Sequence, residues 1–186
     1  VKKLILIAHL VLMFFVTACG VTPGSKDPAD FNAEIAALTQ EIIALDASID
    51  PTEAARAARI SVEYPLQLRQ DWNVTDSAIV HNIKVNSGRR EMGLCYQWAD
   101  ALQARLAREE FQTLAMHRAI ANAQTLRLEH STVILSAVGE TMNEGIILDP
   151  WRYGGTLFWA PLLEDTRYTW IARENVFAEK RRRGQL

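Results

Sequence analysis

The sequence predicts an α+β protein, and three observations predict it. Apolar residues recur at three- and four-residue intervals as far as Leu106, the period of helices that bury one face. From Phe111 onward the pattern changes to short apolar or alternating runs broken by turn residues, the signature of strands. A helix followed by consecutive short strands argues for an antiparallel sheet packed on that helix.

Taken in order, the chain opens with Lys2 and Lys3, then an apolar run from Leu4 to Val16, about 13 residues and too short for a stable bilayer span. This reads as the n-region and h-region of a signal peptide covering residues 1–18. Val16-Thr17-Ala18-Cys19 follows, which resembles the lipobox of bacterial lipoproteins: a branched apolar residue, two small residues for a narrow protease cleft, and a thiol that accepts diacylglycerol. Cys19 is therefore the expected lipidated first residue of the mature protein. Several acyl chains on one residue would anchor it durably to a membrane. Gly20 after the cysteine, where inner-membrane retention would favour Asp, points to the periplasmic face of the outer membrane in the cell envelope. Residues 19–28 contain Gly, Pro, Ser and Asp and read as a tether.

The first predicted helix runs from Ala29 to Leu45, on the spacing of Phe31, Ile35, Leu38, Ile42 and Leu45. Asp50-Pro51-Thr52-Glu53 supplies an N-cap with proline at the first helical position and opens a second helix to about Glu63. Pro65 is expected to kink or end it, with Leu66 to Trp72 continuing for a turn or two. Thr75-Asp76 is expected to cap a third helix that turns Ile79, Val80 and Ile83 inward and stops at Ser87-Gly88. Residues 29–73 thus form a helical extension ahead of a domain at 74–175. Within that domain Cys95 to Glu109 is helical, with Trp98, Leu102 and Leu106 as its apolar stripe. Strands are predicted over Thr113 to Ala121, Leu128 to Val138, Glu144 to Leu148, Thr156 to Trp159 and Tyr168 to Ala172. Residues 176–186, with the run Lys180-Arg181-Arg182-Arg183, read as a solvated basic tail.

Charge and cysteine content narrow the function. The net charge is −2 at pH 7, and loss of Lys2 and Lys3 with the signal takes it to about −4, which gives no footprint for nucleic acid. About 168 residues then remain, enough for one domain with a core of its own. The chain has two cysteines. With Cys19 assigned to the lipid, Cys95 has no disulfide partner in an oxidising compartment and is either a buried inert residue or a used thiol.

Cys95 opens its helix, where unpaired N–H groups and the helix dipole favour a thiolate, and that is a nucleophile's position. His130 opens one predicted strand and Asp149 closes the next. A hairpin turning near Gly139 to Asn143 pairs positions whose numbers sum to roughly 280 to 282, which brings His130 and Asp149 to one end of it. An Asp holding an imidazole that addresses a thiol is the arrangement of nucleophilic catalysis. His81, within a helix, and His117, on an upstream strand, are competing bases of lower rank. Trp151 and Trp159 are candidates for walls of a cleft, and Trp98 and Trp159 for the aromatic core. A second oxyanion donor beside the Cys95 N–H is sought among Asn82, Asn86, Gln97 and Trp72, which the sequence does not separate.

Gly93-Leu94-Cys95-Tyr96-Gln97-Trp98-Ala99, Glu129-His130-Ser131 and Leu148-Asp149-Pro150-Trp151 resemble the transglutaminase-like branch of the papain-like cysteine enzymes over about Thr75 to Ala172. The resemblance implies a papain-like core, with Cys95 as nucleophile, His130 as general base and acid, and Asp149 as the residue orienting the imidazole. It implies no cofactor and no metal. It also implies cleavage or acyl transfer at an amide of an envelope protein or a peptidoglycan peptide. The alternative is a non-catalytic binding or scaffolding lipoprotein of the same fold; an NlpC/P60-like peptidase ranks lower, because its usual third residue is not an Asp on the following strand.

Overall fold

A computed structural model describes residues 28–185. The signal peptide, the lipobox with Cys19 and nearly all of the tether lie outside the described residues. Among the described residues no helix is long and apolar enough to cross a membrane.

Among the described residues five α-helices and five strands follow one another as α1 (Pro28–Leu45), α2 (Pro51–Asp71), α3 (Ala78–Asn86), α4 (Cys95–Ala107), β1 (Leu114–Ala121), β2 (His130–Ala137), β3 (Ile146–Tyr153), β4 (Thr156–Pro161), β5 (Trp170–Ala172) and α5 (Arg173–Arg182). The sheet is antiparallel throughout, in the order β4-β3-β2-β1-β5. The α+β class is therefore observed, with β2 and β3 in the middle of the sheet.

The two helices expected as an extension share the main core with the sheet. Ile35, Leu38 and Ile42 of α1 and Ala54, Ala57 and Ala58 of α2 join Ala99, Leu102 and Leu106 of α4 against Val133, Leu135, Ile146 and Leu148. The alanines let the α2 backbone approach its neighbours closely. Asp50 caps α2 through bonds to Thr52 N and Glu53 N at 2.7 and 3.0 Å. Glu53 then accepts from Gln112 N and Thr113 N at 2.7 and 2.8 Å, which ties the start of α2 to the approach of β1. The opposite sheet face is covered by Leu162, Tyr168 and Trp170 over Ala119, Ala121, Ile134 and Ile147. With both faces covered, every residue of β2 is buried.

Four expectations are corrected. Helix α2 does not end at Pro65 but continues, as Leu66 to Trp72 were expected to, in one element to Asp71, since the missing N–H costs it one bond while its buried face stays continuous. Helix α3 starts after Ser77, whose side chain makes no capping bond, and exposes Ile79, Val80 and Ile83; the residues it buries are His81 and Asn82. Asp149 does not close β3, which continues to Tyr153 across Pro150 with an irregular register between Asp149 and Tyr153. Proline is accommodated there because β2 pairs with β3 only as far as Val133 and Leu148. The basic run is not a frayed tail: it ends α5, which buries Val176 and joins Lys180 Nζ to Glu129 Oε2 at 2.6 Å.

Candidate active site

The site is built where α4 begins, β2 begins and β3 leaves its pairing with β2. Gln97 folds back on the start of α4, its Oε1 accepting from Gly93 N and Leu94 N, both at 2.9 Å. The Trp98 indole donates to Gly93 O at 3.0 Å and rests on Trp72, with ring centroids 4.6 Å apart. Gly93 has φ +125°, and a Cβ there would sit 2.5 Å from the buried ring of His81, whose Nε2 donates to Met92 O at 2.9 Å. These contacts fix the position of Cys95 at the first turn, half-buried, its Sγ 3.6 Å from Glu129 O.

His130 and Asp149 are each 1% exposed. Asp149 continues the strand whose Leu148 faces Val133, so it shares a sheet face with Thr132 and, two residues back, with His130. His130 Nε2 donates to Asp149 Oδ2 at 2.7 Å. Its other nitrogen, Nδ1, is buried without a hydrogen-bond partner. Burial disfavours charge on this ring, yet the Asp149 carboxylate, aided by negative charge at the adjacent Cys95 sulfur, outweighs it and raises the imidazole pKa from 6.5 to about 9. Against the opposing pull of burial, His130 and Arg152 hold the Asp149 carboxyl below its ordinary value. The imidazole lies among aromatic rings, with centroids of Trp151, Tyr168 and Trp170 at 4.5, 4.9 and 5.3 Å.

Behind the pair lies a buried ionic network that sequence reasoning missed. Arg152 Nε donates to Asp149 Oδ2 at 3.0 Å, and its other nitrogens grip both Asp165 oxygens at 3.2 and 2.7 Å. Asp165 also accepts from the Trp170 indole at 3.0 Å, and the Arg152 guanidinium stacks 3.6 Å from the Phe158 ring centre. The only local signal was Arg152 three residues after Asp149; Asp165 and Trp170 carry no spacing that links them to it.

In comparisons with protein-family models, curated proteins and solved structures, the chain matches none.

Cys95 opens onto a cavity of about 440 Å³ whose lining includes Asn82, Asn86, Tyr96, Leu128 and Phe177. The four oxyanion candidates separate here. Gln97 is engaged in capping α4, its Nε2 on Met92 Sδ at 3.1 Å, and Trp72 is packed beside Trp98 and does not line the cavity. Asn86 lines it one turn beyond Asn82. Asn82 Oδ1 accepts from the Trp151 indole at 3.0 Å, which commits its oxygen and leaves the amide NH2 for the cavity. Trp151 thus touches His130 with its ring and orients Asn82 with its N–H. The competing histidines are elsewhere: His81 lies under Gly93, and His117 bonds Ser136 Oγ at 2.8 Å on β1. Trp98 is buried in the core and Trp159 packs against its edge, and neither lines the cavity. Among the described residues no group of His, Cys, Asp or Glu has the disposition of a metal site.

Proposed function

We propose that the protein is a cysteine hydrolase or acyltransferase acting on amide bonds through Cys95, His130 and Asp149, of the transglutaminase-like kind within the papain-like enzymes. One observation carries the reading: a buried imidazole bound on Nε2 by a buried carboxylate, with Nδ1 unpartnered beside a thiol at a helix start. Catalysis by this set follows from the proton's path. With its pKa raised to about 9, His130 already holds the thiol proton as an imidazolium facing the Cys95 thiolate; Sγ then bonds the amide carbonyl carbon, and the oxyanion is met by the Cys95 N–H and the Asn82 amide. Collapse breaks the C–N bond, and His130 returns the proton to the leaving amine. Water or an amine then attacks the thioester, with His130 again accepting and returning a proton. Asp149 keeps the ring in the tautomer and orientation these steps need.

The lipobox reading puts this chemistry in the cell envelope, on proteins or peptidoglycan peptides. Membrane fractionation of wild type and Cys19→Ala tests that part, because equal processing and equal membrane association in both would remove it. The site is tested by iodoacetamide. Alkylation of Cys95 is expected to be fast and to drop at least about tenfold in His130→Ala. A wild-type rate no faster than that of His130→Ala would replace the catalytic reading with the scaffolding one.

A further inference from the structure

The charged wall of the Cys95 cavity is unevenly paired. Arg118 is 6% exposed and donates through Nε to Thr132 O at 3.2 Å and through its terminal nitrogens to Ser131 Oγ, Gln103 Oε1 and Asp100 Oδ1. The same Asp100 oxygen is the nearest carboxylate to Arg173, at 3.9 Å. Two guanidiniums therefore share one carboxylate. Glu129, the other acid of the lining, is held by Lys180. In the adjoining depression Arg181 and Glu174 balance each other; it is Lys180, reaching Glu129 from outside both linings, that leaves the two guanidiniums with Asp100 alone. Arg173, at the start of α5, keeps 41% of its side chain exposed.

We propose that this wall is a carboxylate-binding subsite, and that the amide substrate carries an acidic group received by Arg173 with Arg118 and Ser131 behind it. The proposal rests on the reading of Cys95 as a nucleophile and names the substrate class for it. A substrate carboxylate would restore two acids to two guanidiniums and accept a hydrogen from the Ser131 hydroxyl, whose oxygen is already turned to Arg118. Leu128, Tyr96 and Phe177 of the same lining, Phe177 with its ring centre 5.6 Å from the Arg173 guanidinium, give the substrate an apolar contact next to its charge.

Two measurements separate the subsite from the chemistry. In Cys95→Ala, two hexapeptide pools differing only in Glu or Gln at one position are titrated by tryptophan fluorescence. The Glu pool should bind about fivefold more tightly at low salt, with the preference lost in Arg173→Gln and kept in Arg173→Lys. Equal binding of the pools, or a preference indifferent to Arg173→Gln, overturns the subsite. In the thiol-bearing protein, the ratio of alkylation rates for iodoacetate over iodoacetamide should fall about fivefold in Arg173→Gln. A fast, His130-dependent iodoacetamide reaction with an unchanged ratio removes the subsite and leaves the nucleophile. A Glu preference with no His130-dependent alkylation removes the nucleophile and leaves an acidic-peptide binding site.

Discussion

His130 is under two opposing influences, and their balance decides its proton. Burial alone would lower its pKa, while Asp149 at 2.7 Å and charge at the neighbouring Cys95 sulfur raise it to about 9. Removing the carboxylate's charge and keeping its shape should therefore let burial prevail. In Asp149→Asn the imidazole pKa is expected to fall below 6.5, read from histidine Cε1 proton shifts, and Cys95 alkylation should weaken without vanishing. An imidazole still titrating near 9 would mean that Asp149 is not the source of the shift. Asn82 is subject to a similar argument. If its amide meets the oxyanion, Asn82→Ala should slow acylation by a p-nitrophenyl ester about 100-fold while leaving iodoacetamide alkylation nearly unchanged, because alkylation develops no oxyanion. Trp151→Phe, which releases Asn82 Oδ1, should reproduce part of that split.

The elements that carry the site owe their placement to a few backbone details. Gly93 is the clearest: its φ of +125° is closed to side chains, and the His81 ring occupies the space a Cβ would need. Gly93→Ala should destabilise the protein by about 1–3 kcal/mol in urea denaturation and slow Cys95 alkylation, since it displaces the turn that starts α4. How much of this was legible in the sequence differs by element. Helices α1 and α4 announced themselves by Ile35-Leu38-Ile42 and Trp98-Leu102-Leu106, because each buries a continuous stripe, although Trp98 packs with Leu68, Val74 and Trp151 while Leu102 and Leu106 join the main core. The end of β3 was misread because Asp149-Pro150 is an ordinary turn signal, and only the loss of pairing with β2 beyond Leu148 makes proline acceptable in that strand. Helix α3 was turned the wrong way since its exposed Ile79, Val80 and Ile83 look like a core stripe, while the buried residues are His81, held by Met92 O, and Asn82, held by Trp151. Cys95, His130 and Asp149 were visible as residue types on particular elements. Arg152, Asp165 and Trp170 were not, because a buried salt bridge leaves no periodicity.

At the scale of the molecule, the site's charges are part of what holds the two sheet faces and their loops together, so pH should reach the whole fold. His130 has a folded pKa raised from 6.5 to about 9. Its contribution to stability is therefore complete below 6.5 and is lost as pH climbs through about 9. Asp149 and Asp165 have folded pKa values lowered from 3.8, so their contributions are complete above 3.8 and are lost as pH falls through the lower folded values. Both acids meet at Arg152, whose guanidinium joins β3 to the loop before β5, and Arg152→Ala would leave two buried carboxylates short of a partner. That change should cost about 3–5 kcal/mol. Urea denaturation followed across pH should accordingly show a plateau from about 4 to 6.5, a decline toward 9 and a separate decline in acid. His130→Gln should flatten the alkaline decline and shrink the acid one without removing it, because Asp149 loses the imidazolium while Arg152 still holds both acids. A wild-type midpoint unchanged between pH 6.5 and 9 would show that the imidazolium contributes nothing to the fold, and would leave the Asp149 contact to orientation alone.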